Sequence, residues 1–183
     1  PLAACGGGDD APAVQFAHGI ASGDPLADRV MLWTRVTPPV GHTGDIPVEW
    51  EVATDSAFTT LVAQGQATAL ASKDFTVKVD ATGLKAATAY HYRFRAYAAT
   101  SPTGRTRTLP TGSVAQVKLA VFSCANYPAG YFNVYAHAAK RGDLDATVHL
   151  GDYIYEYGQG GYASANAGAL GRLSTPAKEI LSL

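Results

Sequence analysis

Between residues 46 and 95 the chain alternates apolar and polar side chains with a period of two, in three separate stretches. Ile46, Val48, Trp50 and Val52 alternate with Pro47, Glu49, Glu51 and Ala53. Phe75, Val77 and Val79 alternate with Thr76 and Lys78, and Tyr90, Tyr92 and Phe94 with His91, Arg93 and Arg95. Successive side chains of a strand point to opposite faces, so each stretch offers one apolar face and one wet face. Turn signals separate these runs: Gly23-Asp24-Pro25, Pro38-Pro39, Gly41 with Gly44, and Ala81-Thr82-Gly83. Half-buried antiparallel strands at this spacing predict a β-sandwich over residues 14–100. Trp33 and Trp50 fall where they would pack in its core. SPTGRTRTLPTGSVAQ, residues 101–116, reads as a linker, with Thr106 to Leu109 able to add a short edge strand. Arg105 and Arg107 within it read as solvated side chains rather than phosphate clamps.

The second half changes pattern. Lys118 to Phe122 is a short apolar run of the kind buried in parallel sheets, and it stops at Ser123-Cys124. Phe132, Tyr135, Ala136 and Ala139 then recur at helical spacing, with Lys140 and Arg141 suited to a helix C-terminus and Gly142 to its stop. A second strand runs from Ala146 to Leu150 and ends at Gly151-Asp152. Strand, helix and parallel strand form a βαβ unit, and such sheets bind ligands beyond the carboxyl ends of their strands. Cys124, Asp152 and Tyr155 would converge there. Thiolate, phenolate and carboxylate together favour a highly charged transition metal, with ferric iron the natural candidate. A carboxylate has two oxygens, so Asp152 could bridge to a second metal, the arrangement used on phosphate esters. Spacing alone leaves the bland reading open, in which Cys124 is a small core residue and the tyrosines are packing. Asn126 could approach the same place from the loop after Cys124. His18 and His149 read as hydrogen-bonded structural residues. Ser174-Thr175-Pro176 predicts the start of a helix through AKEILSL.

At 183 residues, 47% hydrophobic and 16% charged, the chain suits one domain and part of another. A net charge of -1 without a basic run gives no footprint for nucleic acid. The N-terminal Leu2-Ala3-Ala4-Cys5 resembles the lipobox of bacterial lipoproteins, and the following GGGDDAPA reads as a flexible tether within residues 1–13. Lipidation of Cys5 would be the chain's only membrane attachment and would place it at the bacterial cell envelope, periplasmic or extracellular. Otherwise Cys5 is incidental or pairs with Cys124.

SCANY, GYFNVY and LGDYIYEYG, together with FAHGIASGDPLADRVMLWTRV near the N-terminus, resemble the PhoD family of alkaline phosphatases, related to the calcineurin-like and purple acid metallophosphatases. VDATGLKAATAYHYRFRA resembles the closing half of a fibronectin type III-like domain, with Tyr90 making a corner hydrogen bond. The resemblance implies an all-β fibronectin type III-like sandwich followed by the truncated start (βαβ) of an α/β metallophosphatase domain at 117–183. It further implies Cys124 and Tyr155 on Fe3+, and Asp152 bridging to Ca2+. A metal-bound hydroxide, not a protein nucleophile, would attack a phosphate mono- or diester. Family members need downstream Asn, Asp and His ligands, so the chain is expected to be an N-terminal fragment, inactive alone. The rival expectations are a non-catalytic, envelope-anchored binding module and a purple-acid-type enzyme with a different second metal.

Overall fold

The computed structural model describes residues 12–181; Cys5 and most of the tether lie outside the described residues. The chain divides into two compact units, Pro1–Ser113 and Val114–Leu183.

In the first unit two antiparallel sheets share a core. Strands β1 (Ile20–Gly23), β2 (Arg29–Arg35) and β5 (Thr76–Thr82) form one sheet in the order β1-β2-β5. The other contains β3 (Ile46–Ala53), β4 (Leu61–Ala69), β6 (Ala89–Ala96), β7 (Ala99–Thr100) and β8 (Gly104–Arg107), with β4-β3-β6-β7 in sequence and β8 also paired to β6. The alternating stretches seen in the sequence are β3, β5 and β6. Ile46, Val48 and Val52 of β3 and Tyr90, Tyr92 and Phe94 of β6 turn inward to meet Val77, Val79 and Ala81 of β5, with Val30 and Leu32 of β2. Burying such side chains on two facing sheets is what holds an aligned sandwich together.

Strands β1, β2 and β4 are less legible in the sequence. Strand β4 is an edge with a Gln-, Ala- and Thr-rich sequence, and its Gly65 pairs with Trp50, where a Cβ would lie 2.8 Å from the indole. The indole fills the place of the missing side chain, so Trp50 packs against the core while remaining half-buried. Trp33 behaves differently. Its neighbours Leu32 and Thr34 are fully buried, so the period of two in β2 places Trp33 on the opposite, half-exposed face and out of the core.

The turn before β6 is held by a tyrosine corner: the Lys85 N–H donates to Tyr90 Oη at 2.8 Å. Ala87 takes a left-handed φ of 54°, a conformation that favours glycine. Its N–H bonds Leu109 O at 3.0 Å, and Thr108 Oγ1 donates to Lys85 O at 2.6 Å, so the chain leaving β8 secures the corner. The segment read as linker therefore contributes β8 and the buried Thr108 to the sandwich.

In the second unit β9 (Leu119–Phe122) pairs in parallel with β10 (Ala146–His149), in a register that places Leu119 opposite Ala146 and Phe122 opposite His149. Helix α1 (Asn133–Ala139) lies between them in the chain. The apolar run of β9 was expected to be buried, yet Leu119 and Val121 are 50% and 55% exposed. Two strands and a two-turn helix supply too few layers to cover both faces of a sheet. Among the described residues the helix expected after Ser174 does not form. Its backbone groups bond elsewhere: Gln159 N–H donates to Ala177 O at 2.8 Å, and Ile180 N–H to Glu156 O at 2.9 Å. Gln159 Nε2 also donates to Ser174 O at 2.8 Å.

Candidate metal centre

Beyond the carboxyl ends of β9 and β10 the pairing does not stop. Leu150 N–H donates to Phe122 O at 2.8 Å, Cys124 N–H to Gly151 O at 3.1 Å, and Ala125 N–H to Asp152 O at 2.8 Å. These bonds zip the two loops together and bring Cys124 beside Asp152. Both residues have left-handed backbones, with φ of 64° at Cys124 and 53° at Asp152. For residues with a Cβ that conformation costs on the order of 1–2 kcal/mol, and such strain clusters at functional sites.

The side chains meet at one atom. Asp152 Oδ2 accepts from Cys124 Sγ at 3.5 Å and from Tyr155 Oη at 3.1 Å. Contact with Cys124, then burial, then Asp152 push the Tyr155 phenol well above the ordinary tyrosine range, so without a cation it keeps its proton. Tyr162 stacks on Tyr155 with ring centres 6.4 Å apart and planes 5° from parallel, and Tyr157 lies 5.9 Å from Tyr162. These rings wall one side of the site.

The donor set fits a transition metal. Metal bonds of about 2.0–2.3 Å place neighbouring donors roughly 3–3.5 Å apart, and Asp152 Oδ2 stands 3.5 Å from Cys124 Sγ and 3.1 Å from Tyr155 Oη. Cys124 and Tyr155 both donate to the Asp152 carboxylate, and metal ligation would expel those protons. Among the described residues no group of three or more His, Cys, Asp and Glu gathers; the third donor is a tyrosine, which that combination omits.

Asn126 lies in the Cys124 loop with both amide atoms buried and without a hydrogen-bond partner. Arg172, which the sequence did not single out, braces the same loop. Its Nε donates to Tyr127 O at 2.7 Å, while the guanidinium lies 3.8 Å from the Tyr127 ring centre and 4.7 Å from that of Phe132. No spacing signal could have found it, because the cage closes only through tertiary contact. His18 belongs to the sandwich unit, its Nδ1 3.3 Å from Arg35 Nη1. Arg105 and Arg107 lie on β8, opposite His91 and Ala89.

Fold and site together define a class: a chain in which an all-β sandwich precedes a parallel-stranded unit whose polar donors converge beyond its strand ends. Family models extend this along almost the whole sequence, with residues 3–110 matching the PhoD-like phosphatase N-terminal domain and residues 119–183 the PhoD-like phosphatase. The chain belongs to the PhoD-like phosphatase family. It is 45% identical over 156 residues to alkaline phosphatase D of Bacillus subtilis (strain 168), covering 81% of this chain and 27% of that protein. A solved structure of PhoD superposes with a TM-score of 0.83 at 40% identity, covering 95% of this chain and 33% of the other. The chain thus spans about a quarter of the curated relative it matches.

Proposed function

We propose that this chain carries the first ligands of a dinuclear metal centre that hydrolyses phosphate mono- or diesters. The observation that carries the reading is the meeting of Cys124 Sγ and Tyr155 Oη on Asp152 Oδ2 at the ends of two parallel strands. Cys124 and Tyr155, deprotonated, would hold a ferric ion, and Asp152 would offer its second oxygen to a neighbouring Ca2+. When bound, the ions neutralise phosphate oxygens and acidify an attacking water. The chain's own part is positional. The zipped loops fix the distance between thiol and carboxylate, the stacked Tyr162 orients the Tyr155 ring, and Asn126 brings an amide with no partner of its own.

The relative's greater length supports a fuller ligand set drawn from further residues, so the 183 residues alone are expected to be inactive. We read the sandwich as fibronectin type III-like, a reading supported by the corner bond from Lys85 to Tyr90. We also place the protein at the bacterial cell envelope, attached through a lipid on Cys5. Mass spectrometry of envelope-extracted protein is expected to find diacylglyceryl on Cys5, and an unmodified Cys5 there would refute the anchor. For the enzyme, the test is ester hydrolysis by the full-length protein supplied with iron and calcium. Asp152→Asn should lower turnover by about 100-fold or more; an undiminished Asp152→Asn enzyme, or turnover by the 183 residues alone, would contradict the reading.

A further inference from the structure

His149 is the last residue of β10, three positions before Asp152, and its ring reaches both neighbours of that carboxylate. The Gly151 N–H donates to His149 Nδ1 at 3.4 Å, and the Tyr153 ring stands edge-on to the imidazole with centres 5.0 Å apart and planes at 89°. On the far side His149 Nε2 lies 3.1 Å from Tyr135 Oη, which belongs to α1. Tyr135 is itself packed edge-on against Phe122 of β9, with ring centres 4.8 Å apart.

This set of contacts admits one neutral tautomer. If Nδ1 accepts from Gly151, the proton must sit on Nε2 and be donated to Tyr135 Oη. An imidazolium would instead turn an N–H toward the Gly151 N–H. Gly151 has a φ of 126° and Asp152 a φ of 53°, so a left-handed residue with a Cβ follows a positive-φ glycine, and the turn gains from outside support. Residues that brace a metal-binding carboxylate commonly set metal affinity although they never touch the ion.

We propose that His149, locked by Tyr135, is a positioning residue that holds the Gly151-Asp152-Tyr153 turn and so sets where the Asp152 carboxylate stands. The proposal rests on the metallophosphatase reading for its purpose, but not for its geometry. By reach, asparagine at this position can replace Nδ1 as an acceptor, glutamine can replace Nε2, and phenylalanine keeps only the ring.

The test uses the full-length protein and two readouts. In metal-free protein, hydrogen exchange is followed in the segment spanning residues 150–153. His149→Phe should speed exchange there by roughly ten-fold or more, His149→Asn should restore most of the protection, and His149→Gln should not. Tyr135→Phe, a milder change that removes only a hydroxyl, should accelerate the same segment to a lesser degree. In the second readout, ferric iron affinity should fall by about 10-fold or more in His149→Phe and recover in His149→Asn. Equal exchange in wild type, His149→Phe and Tyr135→Phe, or rescue by Gln as good as by Asn, would overturn the proposal. A wild-type protein that takes up no iron would defeat the metal reading, while the exchange series would still decide the role of His149.

Discussion

Tyr90 shows at the scale of one residue how a single hydroxyl supports a fold. It is 2% exposed, and its Oη accepts the Lys85 N–H at the turn through Ala86 and Ala87. Tyr90→Phe keeps the ring and strands that N–H, so it should lower sandwich stability by about 1–3 kcal/mol. Chemical denaturation would read this as a lower midpoint with an unchanged slope, and an unaltered midpoint would show that water replaces the bond. That Cys124, Asp152 and Tyr155 converge was legible because strand ends announce themselves through short apolar runs. The left-handed backbones of Cys124 and Asp152, and the meeting of Cys124 with Tyr155 on one Asp152 oxygen, were not, since they depend on the pairing of two loops far apart in the chain. His149 was read as a structural histidine, and sequence alone could not show that Gly151 and Tyr135 lie on its two sides.

Among the elements, α1 and β9 are tied by Asp143. Its carboxylate takes Arg141 Nη2 at 2.7 Å, just past the helix, and Lys118 Nζ at 3.2 Å, just before the strand. The Arg141 guanidinium first, and then Lys118, hold this carboxyl well below the ordinary Asp range. A depressed folded-state value means that the contribution is present above the unfolded value of about 3.9 and is lost as pH falls through and below it. Amide exchange in the 143–149 segment should therefore quicken, relative to the intrinsic rate, below about pH 4 at low salt. Asp143→Asn should remove that dependence, and added salt should weaken it because the pairs are exposed. A pH response identical in Asp143→Asn would rule the clamp out. Element type was clearest in the sequence where one face is buried, as in β3, β5 and β6. It was least clear in β4, whose edge position relaxes the alternation, and in the stretch after Ser174, whose helix signals lose to hydrogen bonds with residues 156–159.

On the scale of the whole molecule the two units differ in how far they satisfy themselves. The sandwich encloses a core in which Phe94, Leu32, Ile46 and Val52 are fully buried. The second unit leaves Val121 and Leu150 55% and 71% exposed, and Ala167 is its one buried apolar residue among the described residues. Its sheet leads into the loops of Cys124, Asp152 and Tyr155 without layers that would shield them. The chain belongs to the PhoD-like phosphatase family and spans 27% of the curated relative. The central claim remains local to three side chains, and a phenolate on ferric iron absorbs visible light. Titrating ferric iron into the metal-free full-length protein should raise a visible band that is absent in Tyr155→Phe and displaced in Cys124→Ser. A wild-type protein that binds iron and stays colourless, or a Tyr155→Phe protein that keeps the band, would contradict the account.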